Sequence, residues 1–289
     1  MKKYNALGEL LIDYRYFHSL SQRQFADKIE VDIRTVQRWE SDITLIKSDI
    51  EEKLVLKTLL PFQLIRNLNA VVTIPTFYDF EIRKYALTEM SNELPNADWF
   101  KSQIDITTNR IRKIDIDLDF TYIKNLFDYE SRAGHPINKN LVVEGLRRLP
   151  ELNFVIIDDA GYYSGHCITL PIKDQTYEKL KNRTIEWHQI EELDLLLDYK
   201  NKEKPIFFNY NITADSNENI FYLVSEYLRF YRDLDREYLL CAFTERYDTF
   251  QLSEKFGMRI IWEDHDNIDE KYTHLAPRFV EGTFDDFLK

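Results

Sequence analysis

Glycine is scarce in this chain. There are 7 among 289 residues, and none between His166 and Phe256. A Walker loop or a Rossmann fingerprint needs clustered glycines, because only a backbone without Cβ atoms approaches a phosphate closely. Both patterns are absent, which excludes the nucleotide-binding α/β folds built on them. The length suggests about two domains. No apolar run approaches the ~20 residues of a membrane helix, and Met1-Lys2-Lys3-Tyr4 leads into an amphipathic stretch, unlike a secretory signal. Cys167 and Cys241 are too few for a disulfide framework or a zinc site and fit a reducing cytoplasm.

Charge is unevenly spread. Residues 1–60 hold 6 Lys, 4 Arg, 5 Asp and 5 Glu, so the net charge of −12 lies in residues 61–289. An acidic field opposes DNA, so any DNA contact has to come from the neutral N-terminal part.

Spacing predicts several short helices over 6–60. Leu7, Leu10, Leu11 and Tyr14 share a face, Ser21 and Asp32 stand as N-caps, and a longer helix starts near Ser48. Residues 62–105 are rich in aromatics and too apolar for a flexible linker. They read as a packed connector with helical character and as a candidate dimer interface. From 106 onward strands and helices alternate. Strands are expected at 111–116, 153–158, 163–170, 206–212, 238–243 and 259–262, and helices at 121–130, 140–148, 220–231 and 247–256. Asp159-Ala160-Gly161 marks a hairpin turn. The tail from Glu263 is acidic and ambiguous.

The block Leu20-Ser21-Gln22-Arg23-Gln24-Phe25-Ala26-Asp27-Lys28-Ile29-Glu30-Val31-Asp32-Ile33-Arg34-Thr35-Val36-Gln37-Arg38-Trp39-Glu40 resembles the helix-turn-helix of the XRE (Cro/CI-type) family. The resemblance covers about 55 residues. Phe25, Ala26, Ile29, Val31, Val36 and Trp39 form one apolar set, which leaves Ile33, Arg34, Thr35, Gln37 and Arg38 facing outward on the second helix. Arginine and glutamine there can hydrogen-bond base edges in a major groove. The resemblance implies that Ser21, Gln22 and Arg23, at the start of the first helix, lie at the DNA, with Gln22 on a phosphate. Glu30 stands where the family's turn often holds Gly, near the DNA face; a positive φ there costs on the order of 1 kcal/mol.

The C-terminal region resembles the GNAT N-acetyltransferase superfamily over about 180 residues. The resemblance is carried by Gly134-His135-Pro136-Ile137, by Leu152-Asn153-Phe154-Val155-Ile156, by the run from Gly161 to Pro171, and by Leu252-Ser253-Glu254-Lys255-Phe256-Gly257-Met258. It implies that the strands at 206–212 and 238–243 run parallel, splay at one end and are joined by the 220–231 helix. It also implies an acetyl-CoA turn at Ala214-Asp215-Ser216-Asn217-Glu218-Asn219, with Ala214, Ser216, Asn217, Asn219 and Arg246 as candidate cofactor contacts. That turn holds Asn in place of Gly, the next-best residue for a left-handed backbone, and it places Asp215 and Glu218 beside a polyanion with no Arg. By spacing from Gly257, Ser253 stands where the family has a Tyr acid, and Ser cannot protonate a leaving thiolate as a Tyr does.

Other candidates read better as structure. Asp264, His265, Asp266 and His274 lack metal-ligand spacing, so no metal is expected. His166 and Cys167 are strand neighbours that point to opposite faces, and Cys167 reads as core. Glu186 and His188 read as surface residues, and Phe221, Tyr222, Tyr227, Leu228 and Tyr231 as packing. No catalytic residue is assigned. The expected chain is multidomain: an all-α helix-turn-helix head (1–62), a connector (63–105) and an α/β GNAT-like body with a mixed twisted sheet (106–289). The expected function is a cytoplasmic, homodimeric DNA-binding transcriptional regulator on double-stranded operator DNA. Its body senses a small-molecule or protein effector, or dimerises, and no membrane is involved. The rival expectation is an acetyl-CoA-dependent N-acetyltransferase with a targeting head. A third is an antitoxin or phage-type repressor that holds a partner protein.

Overall fold

Ser21 and Asp32 act as the caps their positions predict. The Ser21 hydroxyl accepts the Gln24 N–H at 3.2 Å while the Gln24 side chain accepts the Ser21 N–H at 2.9 Å, and Asp32 accepts the Arg34 N–H at 2.8 Å. They open helices α2 (Gln22–Ile29) and α3 (Ile33–Glu40). The computed structural model describes residues 1–89, 96–130, 136–244, 247–267 and 276–288, so Gly134, His135, Arg246 and His274 lie outside the described residues.

Two compact units emerge. The first holds Met1–Glu93 together with Asp158–Ser164 and Ala214–Asn219. Its further elements are β1 (Lys2–Tyr4), α1 (Leu7–Phe17), α4 (Ser48–Thr58), α5 (Phe62–Leu68), β2 (Thr76–Asp79) and β3 (Lys84–Ala86). Leu10, Leu11, Tyr14, Phe25, Ala26, Ile29, Val36 and Trp39 are buried between its helices. A fully buried Leu, Ile or Phe contributes ~1.5–3 kcal/mol. Val31, expected in this set, is half-exposed in the turn between α2 and α3. Glu30 has φ 55° and ψ 50°, the positive-φ turn the sequence suggested.

The head is not all-α. Strands β1, β2 and β3 form an antiparallel sheet in that order, with Lys2 opposite Tyr78 and Phe77 opposite Ala86. Strands of three or four residues carry too little alternation to be read from sequence. Elements α5, β2 and β3, in the stretch read from sequence as connector, cluster with this unit.

The second unit comprises Leu94–Ile157, Gly165–Thr213 and Ile220–Lys289. In chain order its elements are α6 (Ala97–Gln103), β4 (Ile111–Lys113), α7 (Ile116–Glu130), α8 (Lys139–Arg148), β5 (Asn153–Ile157), β6 (Tyr163–Ile172), α9 (Asp174–Lys181), β7 (Ile206–Ala214), α10 (Asn217–Arg232), β8 (Leu239–Thr244), α11 (Tyr247–Lys255), β9 (Met258–Glu263), β10 (Arg278–Gly282) and α12 (Asp285–Leu288). They build a mixed seven-stranded sheet in the order β4-β5-β6-β7-β8-β10-β9. As expected, β7 and β8 run parallel, from Ile206 opposite Leu239 to Asn209 opposite Ala242, with α10 between them in sequence. Both strands continue past their last paired residues, so they part at their carboxyl ends.

The first strand is shorter than expected. Asp115 caps a helix that already begins at Ile116, accepting the N–H groups of Asp117 and Leu118. The ambiguous tail holds β10, antiparallel to both β8 and β9. Gly257 follows α11 with φ +103°, and a Cβ there would stand 2.6 Å from the Thr283 carbonyl oxygen.

Candidate functional site

The head's polar face is built on a hydrogen-bonded chain. Arg15 of α1 is buried and forms a two-pronged ion pair with Glu40 at the end of α3, with Nη2 at 2.9 Å from Oε2 and Nε on Oε1. The same Oε2 accepts Gln22 Nε2 at 2.7 Å, and Gln22 Oε1 accepts Gln37 Nε2 at 3.3 Å. The chain therefore leads from a buried guanidinium to two surface amides and fixes Gln22 against α3.

Around these amides, Arg23, Arg34, Gln37 and Arg38 are exposed, and Ile33 and Thr35 are half-exposed. Arg23, Arg34 and Arg38 differ from the other arginines. Among the described residues they are the ones whose guanidinium groups have no ion pair, hydrogen bond or ring contact. Arg66 and Arg112, for example, pair with Asp158 and Asp119. Ser21 is committed to its capping box. Glu30, expected near the same face, is drawn to α4, where Lys53 and Lys57 pair with it at 2.5 and 3.3 Å and hold its carboxyl below the usual range.

The Ala214–Asn219 turn has a different character. Ala214, Asp215, Ser216, Asn217 and Asn219 are buried, and Glu218 is exposed. Asn217 and Asn219 are not left-handed, although Asn tolerates that backbone. Asn217 begins α10, and the Ser216 hydroxyl accepts the Asn219 N–H at 3.2 Å as a helix cap. An Asn in the first turn of a helix takes helical angles whatever its αL tolerance.

The turn is also engaged by β3. The Tyr85 N–H donates to the Asp215 carbonyl at 2.8 Å, Tyr85 bridges to Ser216, and the Asp215 N–H reaches Ser164 O at 3.0 Å. Asn219 Nδ2 donates to Asp215 Oδ1 at 2.7 Å. Burial pushes the Asp215 carboxyl up to about 7, and the Asp158 carboxylate adds to this. The Asn219 and Ser164 hydrogen bonds and the Arg83 charge pull the other way. Asp158 itself accepts the Ala160 and Tyr162 N–H groups and pairs with Arg66, whose guanidinium lies 4.2 Å from the Tyr162 ring centre.

These residues do not fit an acetyl-CoA pyrophosphate. The backbone at Asp215 and Ser216 is already paired, a buried carboxyl stands in the turn, and no positive-φ peptide offers its N–H there. Ser253 lies on α11.

The remaining candidates are structural. Cys167 and His166 are fully buried in β6. Asp264 pairs with Arg183, His265 lies 3.4 Å from Glu263, and His188 lies 3.3 Å from exposed Glu186. No group of three metal-ligating side chains forms among the described residues. Phe221, Tyr227, Leu228 and Tyr231 are buried as packing. A cavity of about 240 Å³ lined by Asp174, Lys202, Lys204, Ile206 and Leu239 sits at the starts of β7 and β8, opposite the carboxyl ends where open α/β sheets bind ligands. Sequence reasoning missed the Arg15–Glu40–Gln22 chain. Its signal is a charged residue on the apolar face of α1 near Tyr14.

No protein-family model matches the chain, and no curated protein does. Solved structures similar to it include the loading GNATL domain of CurA from Lyngbya majuscula, at 9% identity and TM-score 0.42 over 61% of this chain and 98% of that one. Arylalkylamine N-acetyltransferase 2 from Aedes aegypti matches at 13% identity and TM-score 0.37, over 61% and 100%. The NatB acetyltransferase complex bound to a bisubstrate inhibitor matches at 12% identity and TM-score 0.36, over 60% and 89%. At such scores the account of the fold rests on the strand order and the parallel β7/β8 pair. Among the described residues no helix is long and apolar enough to cross a membrane.

Proposed function

We propose that the chain is a cytoplasmic DNA-binding transcriptional regulator of the XRE type that acts as a homodimer on double-stranded operator DNA. Its GNAT-like second unit senses an effector or a partner and does not transfer acetyl groups. The observation that carries this reading is the set of exposed, unpartnered guanidinium groups of Arg23, Arg34 and Arg38 around fixed Gln22 and Gln37. The other described arginines pair with carboxylates, carbonyls or rings. Three left free on one helix pair suit an anionic surface, and the neutral charge of residues 1–60 lets that pair approach DNA despite the net −12.

The test is selection of duplexes from a random library by the full-length chain, followed by fluorescence anisotropy across a salt series. Binding that weakens steeply with salt is expected. Arg34→Ala and Arg38→Ala should each cost about 1–3 kcal/mol if the side chain reads a base. Absence of salt-sensitive binding to any duplex overturns the reading.

The second half of the proposal has its own measurement. Calorimetry with acetyl-CoA should give millimolar binding or none, because the buried, β3-paired turn offers no phosphate cradle. Micromolar affinity would move the chain to the acetyltransferase class.

A further inference from the structure

Two loops of the first unit meet at one side chain. Asn69 Oδ1 accepts the Ile46 N–H at 2.8 Å, and its Nδ2 donates to the Ile46 carbonyl at 2.8 Å. Each loop is also closed on itself. The Ile43 N–H donates to Arg38 O at 2.9 Å, and the Ile74 N–H to Asn67 O at 2.7 Å. Held this firmly, the loops still present large apolar side chains to solvent. Val71 is 92% exposed, Val72 83%, Ile43 66%, Ile74 53% and Leu45 50%. Single exposed apolar residues are ordinary, but a concentration of them on pinned loops marks an interaction surface.

We propose that these loops form the face on which a second copy of this chain docks. The proposal rests on the homodimeric regulator reading and names its contact surface. Charge selects the occupant. Residues 43–46 and 67–78 contain no Asp, Glu, Lys or Arg, in a chain whose net −12 lies entirely beyond residue 60. Two identical acidic copies repel across most faces; these loops bring no charge of their own to a contact, and the nearby Glu51 carboxylate is taken up by the Asn69 amide at 2.5 Å. An apolar patch without charges is also self-complementary, as a two-fold interface requires. Ile43 hangs from the last turn of α3 through the Arg38 carbonyl, so docking at this face brings two copies of α3 into one assembly.

The experiment is sedimentation of the full chain without DNA, comparing wild type with the double variant Val71→Asp, Val72→Asp. Both positions are exposed, so thermal unfolding should be unchanged and serves as the folding control. A wild-type dimer is expected, with self-association weakened by at least about 100-fold in the variant through like charges facing each other. The variant should keep its affinity for a single half-site duplex and lose the gain from a paired one. A wild-type monomer, including one that floats with phosphatidylcholine vesicles or needs another protein to cover the patch, overturns the proposal. So does a variant that stays dimeric. Dimer loss in a chain that binds no duplex supports this face and sinks only the DNA reading.

Discussion

Asp215→Asn should stabilise the folded chain by up to about 4 kcal/mol at pH 8 and change little at pH 4. Burial holds this carboxyl at about 7, against 3.8 for an ordinary aspartate. The folded state therefore binds the proton more tightly than the unfolded state. Its contribution to stability is fully present below about pH 4 and is lost as the pH rises to about 7, at about 1.4 kcal/mol for each pH unit. Asparagine keeps an oxygen for the Asn219 amide and carries no charge to bury. Urea unfolding of both proteins between pH 4 and pH 8 checks this. The variant-minus-wild-type difference cancels the other titrating groups. A difference that stays flat across the range would mean that Asp215 is solvated in the folded chain.

Glu40→Ala should cost about 3–5 kcal/mol, because it strands a buried guanidinium. Arg15 is 9% exposed and receives charge compensation from Glu40 alone among its hydrogen-bond partners; its other bond is to the Leu20 carbonyl at 3.1 Å. Gln22 loses its acceptor in the same step. Glu40→Gln, which retains an acceptor but not the charge, should fall between wild type and alanine. Thermal unfolding of the three proteins orders them. Equal midpoints would show that water replaces the carboxylate at Arg15.

What the sequence makes legible depends on how far apart the cooperating residues lie. The α2–α3 pair could be read because caps, apolar faces and turn sit within 21 residues, 20–40. The parallel β7/β8 pair was readable because its strands and the intervening α10 are long and periodic. Strand β10 was not. It carries Glu281, a charge in a core position, made tolerable by the Tyr177 hydroxyl and by Arg259 at 2.7 Å, with Lys181 at 3.7 Å. Tyr177 lies 104 residues away. At Ala214–Asn219 the missing glycines and arginine were plain, but Tyr85 pairing with that turn from 130 residues upstream was not.

The first unit is assembled from three separated stretches, the last of which ends at Asn219. During synthesis its five helices leave the ribosome long before the turn that Tyr85 pairs with exists. Those helices wait with part of their surface uncovered, since non-local closure has to follow the chain out. A nascent chain stalled at residue 150 should accordingly be cut by protease near β3, and one stalled beyond residue 260 should resist. The first unit is thus consolidated only after β4 to β7 of the second unit have been made, and a prematurely terminated chain lacks a fully consolidated first unit.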